Sequence, residues 1–238
     1  MITNSDYYFT ISQSGQAEYK DRGSKFLAFA FPVSTVEEVK PILDELKKEH
    51  PKASHYCFAY KIGLDGKQFR ANDDGEPSGT AGKPIFGTIE SKQLTNILIV
   101  VVRYFGGTLL GVPGLIHAYK SAAALVLQTI PVIQKAVEVK LSLHFDYTII
   151  NDVMIVVKQY NCNILLQDLQ LFCHLQIGVP RNRLNEVMFK LKDIRGVTID
   201  EQNFICDTAA STHTCSCYFL YKQGRLLLSM HHVFLLAK

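Results

Sequence analysis

Between Asp73 and Pro84 the chain reads DDGEPSGTAGKP, which packs three carboxylates, three glycines, two prolines and two hydroxyls into twelve positions. Asp73, Asp74 and Glu76 offer the oxygen ligands a hard cation takes. Three carboxylates in four residues lack the spacing of a dedicated calcium loop, and a solvated acidic turn is the simpler reading. Gly79, Thr80, Gly82 and Lys83 suggest a phosphate loop, but the pattern G-x-x-x-x-G-K-[ST] would need glycine at Pro77 and a hydroxyl at Pro84. Ser78 is not a nucleophile elbow, because Glu76 and Thr80 stand where the flanking glycines would be. Arg103, Tyr104, Gly106, Gly107 and Lys120 form a second group. Arg103 and Lys120 are its candidate anion contacts, with surface or ion-paired cations as the plainer alternative. His55 and Cys57 lie two apart in an expected strand and so share a face, as a ligand pair or a Cys–His nucleophile requires. Without further ligands in view, such a pair is more often ordinary packing. Cys206, His213, Cys215 and Cys217 could approach zinc, but C-x-C is not the common ligand spacing.

The element that must position these groups is Leu94 to Leu127. Ile97 to Val102 is an unbroken apolar, β-branched run, expected as a strand buried on both faces and ended by Arg103. A loop with Gly106, Gly107, Gly111 and Gly114 follows, with Pro113 expected at the first helical position. A helix should then bury Leu115, Ala118, Tyr119, Ala122, Leu125 and Val126, spaced three and four apart. Strand, glycine loop and helix bring free backbone N–H groups and a positive helix end together, which suits an anion or a partner. The glycines do not form G-x-G-x-x-G, and turn dihedrals with close packing account for them.

Around this unit, Phe26 to Val33 reads as a strand approached by the charged EYKDRGSK. Thr35 caps a helix with Val36, Val39, Ile42, Leu43 and Leu46 on one face, and Pro41 inside it calls for a late start or a kink. HYCFAYKI and KQFRAN, joined at Asp65-Gly66, form a hairpin. Asp73 to Pro84 is expected to be a long exposed loop without regular structure. From Val137 the order is strand, helix, strand, strand, helix, strand, the split βαβ or ferredoxin-like arrangement. That sets a boundary near Lys135, giving domains at 1–135 and 136–204 and a tail at 205–238 of unknown structure. The apolar tail, with Arg225, could dock on a membrane or a partner.

Composition narrows the classes. The chain has 238 residues, is 47% hydrophobic and carries a net charge of +3, too small to draw nucleic acid or membranes by bulk electrostatics. Six scattered cysteines, an N-terminus without an apolar signal segment and no run long enough to span a bilayer imply a reduced, cytoplasmic protein.

DDGEPSGTAGKPI at Asp73 to Ile85 and VVVRYFGGTLLGVPGLIHAYKSAA at Val100 to Ala124 closely resemble the signature of the IMPACT family, whose bacterial members include the YigZ-type proteins. Ser24-Lys25-Phe26 and HPKASHYCFAY look like the family's first strand and hairpin. The resemblance implies an α+β protein of two domains. The first would be an α/β sandwich akin to the second domain of a small-subunit ribosomal protein. The second would be ferredoxin-like, akin to domains of elongation factor G. Both relatives touch RNA or the ribosome. The eukaryotic namesake is a translational regulator whose partner contact uses a further N-terminal domain, so that partner is not carried over. Threonine and glycine often stand in bacterial members where this chain has Val112 and Pro113, which removes one N–H donor from the loop.

The expected function is a non-enzymatic regulator that binds RNA, ribosomes or translation factors. Its surface would combine Asp73, Asp74, Glu76, Ser78, Gly79, Thr80, Lys83, Arg103, Tyr104, Gly106, Gly107 and Lys120, with Arg181 and Arg183 as phosphate contacts. No catalytic residue, metal or cofactor is assigned. The alternative is an enzyme on a small phosphorylated or acyl substrate, with Asp73, Asp74 and Glu76 holding magnesium and Arg103 the anion.

Overall fold

The computed structural model describes residues 6–206. In chain order the elements are β1 (Tyr7–Ile11), β2 (Gly15–Asp21), β3 (Ser24–Pro32), α1 (Val39–Glu49), β4 (His55–Ile62), β5 (Gln68–Asn72), α2 (Gly82–Ser91), β6 (Ile97–Tyr104) and α3 (Gly111–Val126). They are followed by β7 (Val132–Ala136), β8 (Glu138–Asp146), α4 (Ile150–Gln159), β9 (Asn163–Leu169), β10 (Phe172–Pro180), α5 (Leu184–Asp193) and β11 (Thr198–Cys206). The described residues form a mixed helix and sheet structure with three sheets.

β6 is the axis of the first half. The five-stranded sheet runs β2-β3-β6-β4-β5, and every pairing in it is antiparallel. Ile97, Ile99 and Val101 face α2 and α3, whereas Leu98, Val100 and Val102 face α1. A strand covered on both sides has no polar face to show, hence the unbroken apolar run. The run does not end at Arg103: β6 continues through Tyr104, with Arg103 paired to Phe26 and His55 in the neighbouring strands.

Other differences have simple causes. EYKDRGSK is not an approach segment but most of β2 and its turn into β3, with Arg22 and Gly23 in left-handed conformations. Its side chains alternate between half-buried and exposed because β2 is a sheet edge. Thr35 and Glu38 open a short 3-10 turn, the Glu38 carboxylate accepting the Ser34 and Thr35 amides at 3.3 and 3.1 Å. The α-helix proper starts at Val39, so Pro41 falls third in it, where no intrahelical N–H bond is lost. Pro113 is likewise third in α3 rather than first. The stretch 73–84 is neither wholly exposed nor wholly irregular. Glu76, Thr80 and Ala81 are buried, and α2 begins at Gly82.

The second half has its own core. β8, β9, β10 and β11 make an antiparallel sheet in the order β11-β8-β10-β9, with α4 and α5 packed through Val153, Val157, Val187 and Leu191. β1 and β7 form a separate two-stranded ribbon, unforeseen in the sequence. Two backbone bonds of 2.8 Å continue from it, Val137 N–H to the Asp6 carbonyl and Arg181 N–H to the Val137 carbonyl. Among the described residues no helix is long and apolar enough to cross a membrane. Cys206 lies in β11, and His213, Cys215, Cys217, Arg225 and the rest of the tail lie outside the described residues.

Glu138, at the start of β8, is buried with one carboxylate oxygen unpartnered and the other accepting from Asn163. Burial pushes its carboxyl above the usual range. Ionisation therefore costs more in the folded than in the unfolded chain, and the cost grows as pH rises through the unfolded-state value of about 4.3. Glu138→Gln, which keeps the Asn163 acceptor, should stabilise the protein by about 1 kcal/mol at pH 7. Urea unfolding should show this gain shrinking toward zero below about pH 4.

Candidate functional site

The centre of the site is a carboxylate almost wholly withdrawn from solvent. Glu76 Oε1 accepts Arg103 NH1 at 2.5 Å and the Tyr119 hydroxyl at 2.8 Å, and His55 Nε2 lies 3.8 Å away. The Glu76 and Arg103 side chains are 3% and 6% exposed. β6 brings Arg103 from below, α3 brings Tyr119 from the side, and the turn after β5 drops Glu76 between them. The guanidinium lies 5.5 Å from the Phe26 ring and 5.6 Å from the Phe105 ring, geometry that adds a cation–π contribution. Its NH2 is 3.5 Å from Ser24 Oγ, which also accepts the Gly106 amide at 3.2 Å. A Cβ on Gly106 would come within 1.9 Å of the Gly23 carbonyl carbon, so only glycine lets the loop lie against the β2–β3 turn.

Asp73 organises the rest of the turn. Its Oδ2 accepts the Gly79 amide at 2.8 Å, and its Oδ1 accepts the Ala81 and Gly82 amides at 3.0 and 2.8 Å. The last two are free N–H groups at the start of α2, capped here by a residue up to nine positions upstream. Burial raises the Asp73 carboxyl, but the three amides and the nearby Lys83 outweigh it and hold it below the usual carboxylate range. Its stabilisation is complete above the unfolded value of about 3.9 and is lost as pH falls through the lower folded value. Asp74, left-handed at φ 41°, accepts the Tyr56 amide at 2.7 Å. Cys57 Sγ donates to the Asp73 carbonyl at 3.0 Å and lies 3.3 Å from the Tyr119 hydroxyl. Burial drives both Cys57 and Tyr119 far above their usual values. A thiol in that setting is packing and not a nucleophile.

Residues 22–127 match the Impact N-terminal domain family. The Escherichia coli (strain K12) IMPACT family member YigZ is 33% identical over 172 residues, covering 71% of this chain and 84% of that protein. The chain belongs to the IMPACT family. The Bacillus subtilis (strain 168) member YvyE is 39% identical over 141 residues, 59% of this chain and 65% of that protein, so less than two thirds of that relative is spanned. A solved structure titled a hypothetical protein superposes at a TM-score of 0.66 with 28% identity, covering 82% of this chain and 97% of that one.

Of the site residues expected from the IMPACT motifs, the fold gathers Asp73, Glu76, Gly79, Arg103 and Gly106 into one network, and Thr80 is buried beside it with its hydroxyl on the Pro77 carbonyl. Ser78, Lys83, Gly107 and Lys120 are exposed around it. Tyr104 points to the opposite face of the sheet, its hydroxyl 3.0 Å from His50 Nδ1. Two expectations change. Asp73, Asp74 and Glu76 do not converge on a common point: their oxygens turn to the α2 amides, to Tyr56 and to Arg103. Among the described residues no group of His, Cys, Asp or Glu is arranged to hold a metal. Arg103 is an internal cation and not a surface one. Ser24 and Tyr119 belong to the network but were not among the expected site residues. Tyr119 stood out only as the one hydroxyl-bearing residue on a core face otherwise made of alanine and aliphatics.

Arg103→Met should cost about 3–5 kcal/mol of unfolding free energy, because it strands a buried carboxylate. Glu76→Gln/Arg103→Met should recover most of that loss. Urea unfolding of the two single variants and the double measures this coupling directly.

Proposed function

We propose that this IMPACT protein is a non-enzymatic regulator of translation that binds RNA, ribosomes or a translation factor through the outer rim of its motif loops. The observation that carries the reading is that three charged groups of the motif are consumed internally. Asp73, Glu76 and Arg103 bond to the loop, to each other and to Tyr119, so they rigidify the rim instead of acting on a substrate. Ser78 and Lys83 are left outward on one loop, and Phe105, Gly107 and the 82% exposed Leu109 on the other. Rigid backbone with outward cationic, hydroxyl and aromatic groups suits a polyanionic or mixed partner.

We read residues 1–135 as the α/β sandwich akin to a ribosomal protein domain and 136–204 as the ferredoxin-like domain. The order β11-β8-β10-β9 supports the latter. Phosphate contacts then fall to Lys83 and Lys120 on the first domain and to Arg181 and Arg183 on the second. The family's eukaryotic namesake being a translational regulator supports the same direction. The magnesium enzyme is set aside because both Asp73 oxygens and Glu76 Oε1 already accept hydrogen bonds.

Wild-type protein should co-sediment with ribosomes from lysate at low salt and be released as salt rises. Lys83→Gln/Lys120→Glu should reduce the pelleted fraction about tenfold while keeping the wild-type circular dichroism spectrum. Wild type that stays in the supernatant at low salt, or a double variant that pellets like wild type, would count against this surface.

A further inference from the structure

The face of the first sheet turned away from the Glu76–Arg103 network holds a cavity that the motif chemistry does not use. It has a volume of about 410 Å³ and opens between α1, β3 and the start of β2. Cavities of roughly 300–1,000 Å³ are the size that takes small ligands. Phe29 and Phe31 form the floor, their ring centroids 6.5 Å apart and their planes within 16° of parallel. Ile42 and Leu46 form the wall on α1. The charged groups of the lining are Glu45 and Glu49, both exposed at the rim.

Each feature follows from the elements that carry it. Phe29 and Phe31 alternate with Ala28 and Ala30 along β3, so both rings fall on the α1 side of the sheet. Ile42, Glu45, Leu46 and Glu49 are three and four apart and share one face of α1. The lysines of that helix, Lys40, Lys47 and Lys48, are outside the lining. Among the described residues neither Glu45 nor Glu49 forms a salt bridge. Glu18, farther along β2, is already held by Lys20 and Lys25 at 2.7 and 2.6 Å. His50, whose ring lies 5.5 Å from that of Phe29, is held by the Tyr104 hydroxyl at 3.0 Å. The cavity therefore sets an aromatic floor beneath two unneutralised carboxylates one helical turn apart.

We propose that this cavity binds a small aliphatic diammonium or polyammonium ion. Side chains at i and i+4 of a helix leave from Cβ atoms about 5–6 Å apart. Two ammonium groups joined by a short methylene spacer span a similar distance, so each meets one carboxylate. The spacer then lies on the Phe29 and Phe31 rings, where apolar burial and cation–π attraction both act. A hard metal ion would use the carboxylates and leave the aromatic floor bare, and a neutral apolar ligand would do the reverse. Only a ligand that is cationic at two points and apolar between them uses both. The site is independent of the rim proposed for translational partners.

Isothermal titration calorimetry of putrescine and of spermidine into the full chain at low salt tests the proposal. Both should bind saturably at one site, and Glu45→Gln/Glu49→Gln should weaken them about tenfold, the combined value of two exposed charge pairs. Glu37→Gln/Asp44→Asn removes the same charge from outside the cavity and should leave the affinity unchanged. Phe31→Leu, which keeps the apolar bulk but not the ring, should weaken binding about threefold. Every variant should keep the wild-type circular dichroism spectrum. Butylammonium should bind several-fold more weakly than putrescine. Absence of binding by both amines overturns the proposal, as does unchanged affinity in Phe31→Leu or in Glu45→Gln/Glu49→Gln. Equal weakening by Glu37→Gln/Asp44→Asn, or competition by magnesium chloride as strong as that by putrescine, would leave only an acidic surface and also overturns it. Butylammonium binding as tightly as putrescine would mean that a single ammonium is recognised, as a partner's lysine presents it, and rules out the diammonium ligand.

Discussion

A carboxylate buried against a guanidinium is the constraint on which the motif region depends. Two charges removed from water cost several kcal/mol each unless their geometry is good and their other hydrogen-bonding groups are met. Here Glu76 receives Arg103, Tyr119 and the edge of His55, while Arg103 lies between two aromatic rings with Ser24 at its end and its Nε buried without a partner. The contacts come from several different elements. The pair can therefore form only when β3, β6, α3 and the turn after β5 are all in place, which makes it a device for specificity as much as for stability.

The same pair explains the glycines. Pulling Glu76 inward folds the chain back on itself, so Gly75 and Gly79 adopt left-handed conformations and Asp73 meets the first amides of α2. On the other side of β6, Gly106 presses against Gly23 so that Ser24 can reach both its amide and Arg103. Two loops far apart in sequence thus become one rim with a rigid polar interior and an exposed edge. That is the arrangement of a recognition surface presented by a scaffold, in which the loop's shape is the functional quantity.

Sequence reading recovers what periodicity encodes. The doubly buried β6, the helical face of α3, the hairpin of β4 and β5 and the element order from β8 to β11 were all legible from apolar spacing and turn residues. α2 was missed because GKPIFGTIES carries two glycines and a proline, and its cap is Asp73, a contact that no local window contains. β1 and β7 escaped because their pairing partners lie more than a hundred residues apart. At the site, charge type was legible but burial was not. Arg103 looked like the end of a strand and therefore exposed, yet its strand continues and neighbours on three elements enclose it. Ser24 and Tyr119 are ordinary polar residues until the fold aims one at the guanidinium and the other at its carboxylate.

The most direct measurement of that central role is native-state amide hydrogen exchange on wild type and Glu76→Gln. If the buried pair holds both loops, protection of the Gly79, Ala81, Gly82 and Gly106 amides should fall about tenfold or more in the variant. Amides in β8 and β10 should keep their wild-type rates. Unchanged protection of those four amides in a folded Glu76→Gln protein would contradict the account, because the loops would then hold their shape without the charge pair.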